Sequence, residues 1–200
     1  MIKNPIQAVT DKLQFRAIGI IQGIYNPHDK EKLNRGFITD DQGNILDAVV
    51  LGKSLSLIKK HLNLDKNYFW IVYPRNKNIN NLHLQIAGIW DPYELNNFPK
   101  EDSNKQDPIK LLEEMNLNDN YFSIRGELVY VNSKKKELVV KICTSAFSKK
   151  LKNNSFKLIL EGEIPLEFLN QFVSSDIKRK GNTLIMEKFE VFKKILSKNK

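Results

Sequence analysis

FRAIGIIQGIY, residues 15–25, is apolar, rich in β-branched side chains and carries two glycines. Such a run reads as a long strand that bends, because β-branched residues suit a pleated surface and an interior glycine marks a bend or a close backbone approach. The second half of the chain opens in the same way, with FSIRGELVYV at residues 122–131. Phe15-x-x-x-Gly19 and Phe122-x-x-x-Gly126 start two parallel sequences of events. After each come a hairpin-type turn and two more strands. The third strand runs into glycine both times, as AVVLG at Gly52 and LILEG at Gly162, 37 and 40 residues after the respective phenylalanines. A short helical stretch and closing strands follow. Repetition of one supersecondary order within a chain is a strong architectural signal. Three strands, a helix and closing strands is the order of an OB-fold, a five-stranded partly open barrel. The expected fold is therefore mainly β: two small OB-like β-barrel domains, each with a short helix. Boundaries are expected at 1–95 for the first domain, 96–119 for a linker and 120–200 for the second domain. A small sandwich is compatible with the same pattern, above all in the second half, where only four strands are legible.

Working outward, RGFITD at 35–40 and ILDAVVL at 45–51 flank Asp41-Gln42-Gly43-Asn44, a hairpin turn. Asp40 and Asp41 are explained by turn chemistry, since short polar side chains bond nearby amides. Ser54 is the expected N-cap of a helix with Leu55, Ile58 and Leu62 on one face and Lys59, Lys60 and His61 on the wet side. YFWIVY at 68–73 lacks alternation, which implies burial on both faces or one face in a contact. LHLQIAGIW at 82–90 alternates until Gly88. Asp107 and Pro108 are placed to cap and start a helical turn over 109–115. LEFLNQF, after Pro165, reads as helical, and 183–192 as the final strand.

Charge divides the chain. Residues 1–120 hold 15 basic and 15 acidic side chains, and residues 121–200 hold 17 and 8, so the whole net charge of +9 lies in the last 80 residues. Such asymmetry suggests a polyanionic partner for one part of a molecule. The competing explanation is a solvated lysine surface from an AT-rich genome, which the abundance of Lys, Asn and Ile also fits. The single cysteine, Cys143, excludes an internal disulfide and fits a reducing compartment. No apolar stretch approaches the roughly 20 residues needed to span a bilayer. A soluble, cytoplasmic protein is expected.

Catalytic signatures are missing from the sequence. His28, His61, His83 and Cys143 share no ligand spacing, so no metal and no cofactor are expected. Gly52-Lys53-Ser54 resembles the end of a phosphate-binding loop, but Asp47 stands where the upstream glycine belongs. Single-stranded nucleic acid is bound by stacking bases on aromatics and neutralising phosphates. Candidates for that work are Arg125, Tyr130, Lys134, Lys135, Lys136, Lys149, Lys150, Lys152, Lys178, Arg179 and Lys180. Phe69, Ile71, Tyr73 and Arg75 are candidates for a protein contact, with Trp70 and Trp90 read as core.

The blocks FRAIGIIQGIY, DAVVLGKSLSLIKKHL, WIVYPR, LHLQIAGIWDP and FSIRGELVYV, in that order, resemble a group of uncharacterised cyanobacterial proteins across most of residues 13–192. That resemblance implies no catalytic residues. It does imply a link to ribonuclease E. The expected function is thus non-catalytic binding of single-stranded nucleic acid, RNA in preference to DNA, through the basic second domain. The alternative is an adaptor or inhibitor of an RNA-processing enzyme such as ribonuclease E.

Overall fold

The computed structural model describes residues 2–93, 106–144 and 154–192. These divide into two compact units. One holds residues up to 7, 18–74 and 83–121, and the other holds 8–17, 75–82 and 122 onward.

Apart from Arg16, Ala17, Arg75, Asn76 and Leu82, which cluster with the second unit, the first unit is built from β1 (Arg16–Pro27), β2 (Arg35–Thr39), β3 (Ile45–Val50), α1 (Gly52–His61), β4 (Tyr68–Asn76), β5 (Leu82–Trp90) and α2 (Pro108–Glu114). Its strands pair in the order β2-β3-β5-β4-β1, and β1 returns to β2 to close the barrel. β3 and β5 run parallel, with Asp47 opposite His83 and Val50 opposite Ile86. This circuit, with a helix between the third and fourth strands, is that of an OB-fold. The expected long first strand serves both layers, pairing with β4 over Gly19–Gly23 and with β2 over Ile24–Pro27. Gly23, not Gly19, sits at the changeover. A Cβ there would lie 2.5 Å from Ile38 Cγ2 and 2.7 Å from the Thr39 carbonyl oxygen.

Trp70 and Tyr25 fill the barrel with Ile38, Leu46, Leu84 and Ile86, and the Trp70 indole N–H donates to the Gly23 carbonyl at 2.8 Å. YFWIVY is buried on both faces. Trp70 and Val72 point inward, while Phe69 is covered from outside by Ile6, Leu111, Leu112 and Leu117, with Ile71 packed against the same cluster. Asp107 caps α2 by accepting from the Ile109 amide, and Pro108 occupies the first turn, as expected. The segment expected to be a linker therefore ends, over its described residues 106–119, as an outer layer of the first unit. α1 starts three residues early. Its cap is Leu51, without a side-chain bond, and Ser54 is buried inside the first turn.

The second unit contains β6 (Tyr121–Asn132), β7 (Glu137–Thr144), β8 (Asn154–Glu161), a single 3-10 turn (Leu166–Phe168), β9 (Phe172–Lys180) and β10 (Thr183–Phe192). Apart from Tyr121, which clusters with the first unit, these repeat the same circuit: β6-β7-β8-β10-β9, closed by β9 on β6, with β8 and β10 parallel. The strand hidden from sequence reading is β9. Its inward positions are Val173, Ser175, Ile177 and Arg179, so two polar residues break the apolar alternation. The helix expected over LEFLNQF is reduced to the 3-10 turn. Gly126 repeats the close approach made by Gly23, since a Cβ would stand 2.4 Å from the Lys141 carbonyl oxygen and 2.8 Å from Val140 Cγ1.

Candidate nucleic-acid interface

Coverage decides which surfaces of the second unit are open. Residues 8–17 lie over the outer side of β6. The Arg16 guanidinium donates to Ser123 Oγ at 2.7 Å. Arg125, expected on a nucleic-acid face, is instead 6% exposed. It donates to the carbonyls of Lys12 at 2.6 Å and Gln14 at 3.3 Å and to Ser174 Oγ at 2.6 Å. Desolvation lowers its pKa from the usual arginine range, opposed by the nearby charges of Glu190 and Asp11. Arg125 is a strut: its donors are spent on protein.

Among the described residues, nothing covers the outer face of β6, β7 and β8 beyond Ser123 and Arg125. A bulge between Leu128 and Tyr130 shifts the register, so that Tyr130 stands opposite Val139, which in turn stands opposite Ile159. A bulge re-aims the side chains after it, and Tyr130 is left 43% exposed at one end of an apolar row. One row further along, Lys141 stands directly opposite Lys157. Like charges facing each other across strands destabilise a sheet. Lys141 has a loose partner in Glu127 at 3.8 Å, and Lys157 is exposed. Asn76 lies at the other edge of β8. It exchanges two hydrogen bonds with the Ile159 backbone, at 2.7 and 2.9 Å, in the manner of a strand. Arg75 stacks over the Phe156 ring at 3.6 Å.

Strand register also locates the two basic turns. Residues 133–136 join β6 to β7, and Gly181-Asn182 joins β9 to β10. Glu137 is opposite Glu161, Glu161 is opposite Ile185, and Ile185 is opposite Lys178. The Gly162 amide donates to the Lys136 carbonyl at 2.8 Å. Both turns therefore rise at the same end of the barrel, on the order of 10–15 Å apart at the usual strand spacing of about 4.8 Å. They are the loops between strands 1 and 2 and between strands 4 and 5, which OB-folds use with the strand 2–3 face to hold oligomeric ligands. Lys134, Lys135, Lys136, Lys178 and Lys180 are exposed there. Lys136 forms an exposed ion pair with Glu163 at 3.1 Å. Arg179 alternates inward, is 4% exposed and donates to the Gly181 carbonyl at 2.6 Å. Lys149, Lys150 and Lys152 lie outside the described residues. The outer side of β9 and β10 is different, a shallow cleft lined by Asp176, Glu187, Lys188 and Glu190.

Of the residues nominated for nucleic acid, Tyr130 and Lys134, Lys135, Lys136, Lys178 and Lys180 are exposed, and Lys141 and Lys157, which were not nominated, stand on the same side of β7 and β8. Alternation alone puts Lys141 outward, but only register sets Lys157 against it. Of the residues nominated for a protein contact, Phe69 and Ile71 are under the outer layer of the first unit, Tyr73 is half-buried, and Arg75 is engaged with Phe156.

Among the described residues, no group of three or more His, Cys, Asp and Glu is arranged to hold a metal ion. None of their helices is long and apolar enough to cross a membrane. Residues 17–97 match the family described as the N-terminal OB-fold domain of the PatR RNA-binding protein. Residues 124–193 match the family described as a cyanobacterial OB-fold-like RNA-binding domain, C-terminal. No curated protein matches the chain.

Proposed function

The chain belongs to a cyanobacterial family of tandem OB-fold proteins, and from that premise we propose that it binds single-stranded RNA, without catalysis, through the open face of its second barrel. Tyr130 provides a stacking surface, extended by Val139 and Ile159. Lys141 and Lys157 lie beside that row, and Lys134, Lys135, Lys178 and Lys180 reach phosphates from the two turns. The observation that carries the reading is the convergence of both basic turns on one end of the barrel whose strand 2–3 face sets Lys141 against Lys157, with Glu127, 3.8 Å from Lys141, as their one carboxylate partner among the described residues. A polyanion relieves the repulsion between Lys141 and Lys157, so the same contact that gives affinity also stabilises the sheet. RNA is the favoured polyanion because both matched families are described as RNA-binding.

The test uses the whole chain. A fragment that starts at residue 117 would lack the Lys12 and Gln14 carbonyls that receive Arg125 and the Asn76 amide that completes β8. Fluorescence anisotropy of a labelled single-stranded RNA, titrated at low and at moderate salt, should show micromolar or tighter binding that weakens with salt. No binding at micromolar protein in low salt rejects the proposal. A duplex of the same sequence bound as tightly as the single strand also rejects it, because stacking on Tyr130 requires unpaired bases.

A further inference from the structure

The first barrel furnishes the corresponding face differently, with Asp47 exposed and Asn26, Phe37 and His83 half-buried among the described residues. Asn26, Phe37, Asp47 and His83 are register partners across β1, β2, β3 and β5 and form one row. Their chain neighbours Tyr25, Ile38, Leu46, Leu82 and Leu84 are buried, so the row points outward. The His28 ring lies 5.8 Å from the Phe37 ring, tilted by 48°. Asn26 is occupied in bonding the Ile24 carbonyl and Thr39 Oγ1. Asp47 is exposed in mid-strand, and among the described residues no hydrogen bond or ion pair engages its carboxylate.

A carboxylate in the middle of this face repels phosphate at its own position, while the exposed Arg35, one row away opposite Val49, is the cation of the face; Asp47 itself is therefore unsuited to a phosphate contact. It is suited to the edge of a base. A carboxylate has two acceptor oxygens and takes two adjacent donors best. Guanine alone presents two adjacent donors on its Watson–Crick edge, N1–H and N2–H. Adenine and cytosine each set an amino group beside an acceptor nitrogen, and uracil sets one N–H between two carbonyls. We infer that the first barrel reads guanine in single-stranded RNA, the base stacking on Phe37 while Asp47 accepts from its N1–H and N2–H. Asp47 is then the specificity-determining residue of the protein, and the second barrel supplies the affinity. The inference rests on the RNA-binding reading above.

The experiment compares two short oligonucleotides on the full-length protein, all-uridine and the same strand with two central guanosines, at one salt concentration. The guanosine strand should bind about tenfold tighter, the discrimination expected of one good two-point contact. Adenosine or cytidine in the same positions should give no such gain. Asp47→Asn should erase the preference while affinity for the all-uridine strand holds or rises, since a negative charge has left an RNA-binding surface. That crossing pattern cannot come from misfolding, which would lower both affinities together. Equal affinity of the wild type for both strands overturns the inference and leaves the RNA-binding proposal standing. So does a preference that survives in Asp47→Asn. Failure of both strands to bind at low salt overturns both.

Discussion

Neutralising the two turns tests the interface quantitatively. Seven described lysines lie on or beside the proposed face: Lys134, Lys135, Lys136, Lys141, Lys157, Lys178 and Lys180. Lys136 is paired with Glu163 and Lys141 with Glu127. The other five have no carboxylate within ion-pair distance among the described residues. For a single strand, the slope of log affinity against log salt is about −0.7 per neutralised phosphate. Five contacts therefore give a slope of about −3.5, and a rise from 50 to 200 mM salt weakens binding by about 100-fold. Replacing Lys134, Lys135, Lys178 and Lys180 with Gln removes four contacts and should flatten the slope by about 2.8. All four side chains are exposed, so melting temperature should hardly move. Any further contacts from Lys149, Lys150 and Lys152 would steepen both slopes equally and leave the difference intact. Anisotropy titrations at four or five salt concentrations, on wild type and the quadruple variant, measure it. A difference below about 1 would mean that the turns do not touch phosphate, and the interface would have to be drawn elsewhere.

Three other outcomes are expected. Tyr130→Ala should weaken RNA binding by about 1–3 kcal/mol, the usual worth of one stacked base, with Tyr130→Phe close to wild type and no change in thermal stability for either; anisotropy and calorimetry separate the two effects. Gly126→Ala drives a methyl into the Lys141 carbonyl, 2.4 Å away, and should cost roughly 1–3 kcal/mol in chemical denaturation, as overpacking does. Tyr25 is buried, donates to the Leu33 carbonyl at 3.0 Å, and desolvation raises its pKa to about 12. The unfolded chain releases this proton near pH 10 and the folded one near 12. Stability should therefore fall as pH rises through that window, by up to roughly 3 kcal/mol, and Tyr25→Phe should flatten the decline in denaturation curves.

What could be read ahead of the structure was set by where each kind of residue points. The apolar strands were legible because their inward positions are Ile, Leu and Val. β9 was not, because a barrel of this size can bury Ser175 and Arg179 on its inner side. YFWIVY announced double burial but not its cause, which is a layer formed by Ile6 and α2, distant in sequence. Charge counting marked the second half as basic, yet it grouped Arg125 and Arg179 with the lysines. Formal charge carries no direction, and both arginines are turned toward backbone carbonyls.

The same logic explains how one barrel circuit can serve two tasks. Inward positions are constrained alike in both units, by the need to fill a small barrel and by close approaches at Gly23 and Gly126. The outer sides of β1 and β4, and of β6 at Ser123 and Arg125, are covered by other parts of their own units. Among the described residues, the outer face of strands 2 and 3 in each barrel is bound by neither constraint. There the two repeats differ in charge, with Asp47 in the first unit and Lys141 and Lys157 in the second. A change at these positions costs the fold little, so the difference between them is better explained by what each face contacts than by folding. Exchanging Asp47 for Lys puts this to work. It should leave melting within about 1 kcal/mol of wild type, as surface substitutions do, while raising the salt slope for RNA by about 0.7. Unchanged salt dependence in that variant would show that RNA does not pass over the first barrel at all.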